Sequence, residues 1–141
     1  MTLLFGHDKT VAEWVARQAH SKPPVAPYTA FGFIDRRGTL VGGCVFTGYN
    51  GDTVELSLAG RAAATRSGWA AITNYVFDQL GCSRLQMHTN RRNKHTLRML
   101  AGRLGVKYEG VARRFFGKDD GVCYSLTVDD LAAFKAKWKL P

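Results

Sequence analysis

The sequence predicts an α/β fold, an α+β arrangement around one mixed sheet, and three observations predict it. Two hairpin signals, Asp35-Arg36-Arg37-Gly38 and Gly48-Tyr49-Asn50-Gly51, separate three strand-like runs. A helix-period stretch with Trp69, Ile72, Tyr75, Val76 and Leu80 follows the third run. A further strand then returns, which makes a βαβ unit whose crossover is right-handed. An antiparallel meander followed by a βαβ unit, with helices on both faces and a helix at the C-terminal end, is the expected architecture.

Taken in order, Asp8 is placed to cap a helix from about Lys9 to His20, with Val11, Trp14, Val15 and Gln18 inward. Ser21 to Pro27, with three prolines, is a loop. Strands are expected over Tyr28–Ile34, Thr39–Phe46 and Thr53–Leu58, and a helix over Arg66–Leu80 that Gly81 ends. A strand over Arg84–His88 and a helix over Asn93–Leu104 follow, the latter with Leu97, Leu100 and Leu104 on one face and Gly105 at its end. Strands over Tyr108–Ala112 and Val122–Leu126 flank a polar turn, and a last helix from near Asp129 carries Leu131, Phe134 and Trp138.

The 141 residues fit a single domain spanning 1–141, long enough to bury a core without disulfides or metals. Cys44, Cys82 and Cys123 are scattered and form no zinc-spaced cluster, so no metal is expected and the thiols read as reduced, cytoplasmic ones. No run approaches the roughly 18 apolar residues that span a bilayer, and the N-terminus lacks a signal-peptide pattern. A membrane partner is therefore not expected. The net charge of +9 points to an anionic partner. Much of the excess falls in one quarter of the chain, among Arg84, Arg91, Arg92, Lys94, Arg98, Arg103, Lys107, Arg113, Arg114 and Lys118.

The first βα junction carries the chemistry. Ala59 to Ala70 is rich in small residues, which let a ligand approach backbone, and a helix opening near Ser67 directs free N–H groups and a positive dipole end outward. That suits a phosphate, and Arg66 adds a charged donor. Gly68 and Ala70 would equally serve to pack the helix tightly on the sheet. Asn93-Lys94-His95-Thr96 opens the next helix, where Asn93 is also a good N-cap. Two adjacent helix N-termini flank the C-terminal ends of the strands, where open α/β sheets place ligands.

Thr65-Arg66-Ser67-Gly68-Trp69-Ala70, Asn93 with Thr96, Leu104-Gly105-Val106, Glu109-Gly110-Val111-Ala112-Arg113 and Asp120 to Leu126 occur in an ordered succession. In this the sequence resembles the GNAT superfamily of acyl-CoA N-acyltransferases, closest to the ribosomal-protein alanine acetyltransferase type, over roughly Thr29 to Leu126. The arginine is displaced by one position, Val106 replaces an aromatic, the spacing from Asn93 to Gly105 is one residue longer, and the first half has one early helix where that family has two. The resemblance implies acetyl-CoA or another acyl-CoA as co-substrate, in a V-shaped gap between the strands ending at Leu58 and near His88. It implies that backbone around Leu58 pairs with the pantetheine arm and polarises the thioester. Arg66, Ser67, Gly68, Trp69 and Ala70 would hold the pyrophosphate and Asn93 the pantetheine. An amine-bearing acceptor is the implied partner, whether a protein N-terminus, a lysine or a small molecule.

The acceptor must be neutral to attack, and lysine amines titrate near ~10 and α-amines near ~8. Glu55, on the strand that lines the cleft, is the first candidate base, with His88 and His95 as alternatives. Thr96, at the family's serine position, and Tyr124 are candidates to protonate the leaving thiolate. Leu100 lies near the position of the helix tyrosine that serves other family members. Two other readings stand beside this one: a catalytically degenerate GNAT-fold binding or structural module, and a nucleic-acid-binding domain using Arg91-Arg92-Asn93-Lys94-His95 and Arg113-Arg114-Phe115-Phe116. A homodimer is compatible with all three.

Overall fold

A computed structural model describes residues 1–61, 63–102 and 104–141. Ala62 of the predicted loop and Arg103 of the basic run lie outside the described residues. The elements run β1 (Thr2–Leu4), α1 (Asp8–Gln18), β2 (Tyr28–Ile34), β3 (Leu40–Thr47), β4 (Thr53–Ala59), α2 (Arg66–Thr73), β5 (Arg84–Asn90), α3 (Lys94–Gly102), β6 (Lys107–Phe116), β7 (Asp119–Thr127) and α4 (Val128–Trp138). They form a seven-stranded sheet of order β1-β2-β3-β4-β5-β7-β6. β4 and β5 are parallel and every other neighbouring pair is antiparallel. The expected meander and βαβ unit are both present.

Side chains alternate across each strand, so the two faces differ. On one face Phe31, Phe33, Cys44, Phe46, Val54, Leu56, Leu85, Met87, Val122, Tyr124 and Leu126 form a continuous core with Trp69 and Ile72 of α2, Leu100 of α3 and Phe134 of α4. On the other face α1 alone packs, through Val11, Ala12 and Val15 against Ala30 and Val45. A Cβ added at Gly43 would lie 2.7 Å from Val15 Cγ2 and 3.0 Å from Val11 Cγ1, so glycine there lets α1 sit close.

Several boundaries differ from expectation. β1, an exposed three-residue edge strand paired to Gly32–Ile34, carries no periodic signal in sequence. Asp8 does not cap α1; its carboxylate accepts the Ala30 amide at 3.0 Å and pins the helix to β2. Gln18 is exposed rather than inward, because Ala12 and Ala16 complete the buried stripe. The helix predicted to run to Leu80 widens after Thr73 into a π-helical segment, Asn74–Gln79, before Gly81 at φ +69° ends it. β6 and β7 are longer than predicted, and β6 bulges between Ala112 and Phe116. No helix among the described residues is long and apolar enough to cross a membrane.

Candidate active site

The parallel pairing of β4 and β5 runs from Thr53↔Arg84 to Leu56↔Met87 and stops there. Both strands continue, β4 to Ala59 against β3 and β5 to Asn90 against β7. The sheet therefore opens between Ser57–Ala59 and His88–Asn90, and the facing backbone edges have no strand between them. Gly60, at φ +86°, then turns the chain off the sheet. A Cβ there would lie 2.5 Å from Val41 O, so only glycine fits. Leu58 lies on the opened edge of β4, half-buried and packed against the main core.

The loop after β4 leads to the α2 N-terminus. Thr65 is its N-cap, and its Oγ1 accepts the Gly68 amide at 3.1 Å. One N–H expected to face a phosphate is thus held by the cap. Ser67 is exposed, Ala70 half-buried, and Gly68 and Trp69 are buried. The Trp69 ring packs edge-on against Phe134, with a centroid separation of 5.6 Å, so its side chain belongs to the core. The Arg66 guanidinium does not turn to the loop as expected. Its Nε donates to Trp138 O at 3.2 Å and Lys139 O at 3.0 Å. Those are terminal carbonyls of α4, an unsatisfied and electronegative helix end that attracts a cation. Arg66 therefore ties the start of α2 to the end of α4.

At the next junction Asn93 is an N-cap: its Oδ1 accepts the Thr96 amide at 3.2 Å and its backbone O accepts Leu97 N at 3.1 Å. Thr96 is half-buried on the first turn of α3. Tyr124 is buried in the core beneath the helices, edge-on to Tyr108, and burial pushes its hydroxyl up in pKa. Its ring is a packed core aromatic. His95 is exposed at the start of α3.

The other face of the opening is polar. Glu55 and His88 straddle the last β4–β5 pair, and their side chains meet: His88 Nδ1 lies 2.9 and 3.1 Å from the two Glu55 oxygens. Gln86 Nε2 donates to Glu55 Oε1 at 2.9 Å, while Gln86 Oε1 accepts Arg84 Nε at 3.1 Å, which fixes the amide orientation. Arg84 also grips Glu109, which accepts Ser125 Oγ at 2.6 Å. These hydrogen bonds hold the Glu109 carboxyl down at about 2. The result is one hydrogen-bonded line across three strands, Glu109–Arg84–Gln86–Glu55–His88. Its far end is covered by Phe115, whose ring stacks on the His88 imidazole with centroids 3.9 Å apart and planes 13° apart. The β6 bulge carries Phe115 there, and Gly121 makes room: an added Cβ would come within 2.9 Å of Phe115 Cβ.

Glu55 is legible as a candidate from its strand, but its pairing with His88 is not, because the residues lie 33 apart in sequence. Gln86 and Phe115 carry no catalytic signal in the sequence. A separate cleft of about 340 Å³ lies where β5 ends, between Arg91, Arg92 and Lys94 on one side and Lys118, Asp119 and Asp120 on the other. Two of its cations are paired, Arg92 with Asp119 at 2.9 Å and Arg91 with Asp120 at 3.4 Å. Among the described residues no group of three or more His, Cys, Asp or Glu side chains is placed to hold a metal ion.

No protein-family model and no curated protein matches the sequence. Solved structures do match in fold. The spermidine/spermine N-acetyltransferase SpeG of Vibrio cholerae superposes with a TM-score of 0.72 at 12% identity, over 94% of this chain and 97% of that one. The ribosomal-protein-S5-alanine acetyltransferase of Vibrio fischeri gives 0.65 at 14% identity, over 92% of each. A T. thermophilus protein assigned as an acetyltransferase gives 0.71 at 19% identity, over 82% of this chain but 66% of that one. The chain has the fold that these proteins share, the GNAT fold that its motifs resemble.

Proposed function

We propose that this chain is an acyl-CoA-dependent N-acyltransferase, most simply an acetyltransferase, acting on a primary amine. The observation that carries the reading is the parting of β4 and β5 directly beside the Glu55–His88 pair. The opened edges offer unpaired backbone N–H and C=O groups to an amide-bearing arm such as pantetheine. A backbone N–H near Leu58 aimed at the thioester oxygen would stabilise the charge that develops there. The α2 N-terminus, chiefly Ser67 and its neighbours' backbone, takes the pyrophosphate, while Arg66 acts indirectly by fixing that helix end. Asn93, with its Oδ1 engaged in the cap, offers its Nδ2 to the pantetheine.

The chemistry divides between the faces. The Glu55–His88 pair is the base that receives the amine's proton on the polar face. Thr96, on α3 at the helix-covered face, supplies the hydrogen bond for the departing sulfur. Spermidine and a ribosomal-protein alanine are acceptors named for two fold neighbours, and both present amines. An acceptor of that class suits this chain, approaching over the face that α1 leaves bare. The nucleic-acid reading is weaker: Asp119 and Asp120 neutralise part of the basic run, and one face of Phe115 is taken by His88.

Isothermal titration with acetyl-CoA is the direct test. Binding at micromolar Kd, about −8 kcal/mol, is expected. Release of free CoA on addition of polyamine or an alanine-terminated peptide should accompany it, lowered on the order of 100-fold in Glu55→Gln. No binding of acetyl-CoA or longer acyl-CoA would sink the acyltransferase reading.

A further inference from the structure

The geometry points to His88, through its Nε2, as the atom that takes the proton from the acceptor amine, with Glu55 as its positioning residue rather than the base itself. This inference rests on the acyltransferase reading.

Its first support is the use of lone pairs. Both Glu55 oxygens lie within hydrogen-bond distance of His88 Nδ1, and Oε1 also accepts from Gln86. Gln86 has no freedom to turn away, because its own oxygen is held by Arg84. A carboxylate engaged from two sides is a poor first acceptor for an incoming proton. A carboxylate against Nδ1 also requires the imidazole proton to sit on that nitrogen. The basic lone pair of the pair is then the one on Nε2.

The second support is access. Among the described residues the sole side-chain nitrogen or oxygen atom sealed from solvent with no hydrogen-bond partner is Trp69 Nε1. Within those residues His88 Nε2 makes no hydrogen bond to protein, so it keeps solvent access although the side chain is only 10% exposed. The atom is unpartnered and not sealed, inside an otherwise buried ring. Third, the ring cannot swing. Phe115 is stacked on it, and Glu55 fixes its edge. A base pre-set in orientation avoids the reorganisation that a mobile histidine would add.

Among the described residues, the titratable groups placed against the ring are Glu55 on β4 and Cys123, its cross-strand partner on β7. Arg84 and Glu109 stand one hydrogen-bond link beyond. The Cys123 thiol is pushed up by burial and by Glu109, so it does not compete as the proton acceptor. In the transfer, the amine nitrogen bonds to the thioester carbon as its N–H proton passes to Nε2. The C–S bond then breaks and the electron pair stays on sulfur. The imidazolium, stabilised by Glu55, returns its proton through solvent to the thiolate, giving CoA-SH and the amide.

The test compares wild type with His88→Gln, measuring kcat/KM across pH with acetyl-CoA saturating. Wild type should show a basic limb that rises with pH as one group loses its proton. His88→Gln should lower kcat/KM on the order of 100-fold or more, erase that limb and leave acetyl-CoA affinity within about 2-fold. A surviving limb with near-normal turnover in His88→Gln returns the role to Glu55 and overturns the inference, while the acyltransferase reading stands. If His88→Gln fails to fold, ¹⁵N-imidazole NMR of the intact protein decides. Neutral His88 with its proton on Nδ1 supports the proposal, and a proton on Nε2 overturns it. Wild type that neither binds acetyl-CoA nor releases CoA sinks the acyltransferase reading instead.

Discussion

The two faces of the same strand pair behave as different materials. Val54, Leu56, Leu85 and Met87 point into a dry core beneath α2, α3 and α4. One residue along each strand, Glu55, Gln86 and His88 point the other way into a connected polar line. The sheet's period of two keeps an ionisable pair within one residue of the core without burying it there. The difference teaches where the molecule keeps its stability and where it keeps its chemistry. The helix-covered face holds the fold, and the opposite face, which α1 covers over β2 to β4, carries the polar line on which the proposed chemistry rests.

The largest expected effect lies on the dry side. Trp69 is fully buried and contacts Phe134 and Trp138 at 5.6 and 6.4 Å between centroids. Trp69→Ala should cost about 3–5 kcal/mol in urea unfolding. Gln86→Ala, on the polar face, should cost about 1 kcal/mol, the usual worth of a hydrogen bond, and act mainly on turnover. Equal losses of stability from the two variants would break the division between faces.

The dry side is also the side that the sequence discloses. Strands β2, β3 and β4 follow from β-branched and aromatic runs between two glycine turns, and α2 from the spacing of Trp69, Ile72 and Val76. The start of α2 is legible because Thr65, Ser67 and Gly68 have local roles that need no distant partner. The contacts of Arg66 are not legible in sequence for the opposite reason: its partners are carbonyls of residues 138 and 139, and no local pattern reveals where α4 ends. His88 reads as a lone histidine, since pairing it with Glu55 needs the β4–β5 register and not merely the existence of both strands. Phe115 needs still more, a bulge that shifts the β6 register after Ala112. Residues 114 to 117 form a compact turn there, with Arg114 at φ 56° and its amide held by Asp120 Oδ1 at 2.8 Å.

The bulge can be perturbed without touching the polar groups. Gly121→Ala leaves every group of the polar line intact and adds one methyl beneath Phe115, 2.9 to 3.2 Å from three of its atoms. Phe115 must then shift, which disturbs its stacking on His88. Misplacing a reacting group by about 1 Å costs on the order of 100-fold. Losing only the ring's support should cost less, about 10-fold in kcat/KM. Phe115→Ala should match it. Full turnover in both variants would show that the stacking contact is packing alone, and the polar face would then need only Glu55 and Gln86 to hold its histidine.

The smallest effect concerns the far end of the line. Glu109 is held down at about 2 by hydrogen bonds from Arg84 and Ser125 and by the Arg84 charge. Its folded pKa lies below that of the unfolded chain, so the folded state binds fewer protons between about pH 4.5 and 2. The stabilisation is whole above that window and is lost as pH falls through it. Because the carboxylate and guanidinium are part-exposed, at 36% and 26%, solvent screens the pair and the gain is small. Glu109→Gln should therefore leave Tm nearly unchanged near pH 2, lower it slightly at pH 7 and flatten the slope between. An unaltered slope would place the acid sensitivity elsewhere. A large loss of turnover at pH 7 with little change in Tm would show instead that Glu109 acts through Arg84 and Gln86 on the Glu55–His88 pair. The polar line would then be a single positioning device from edge strand to active site.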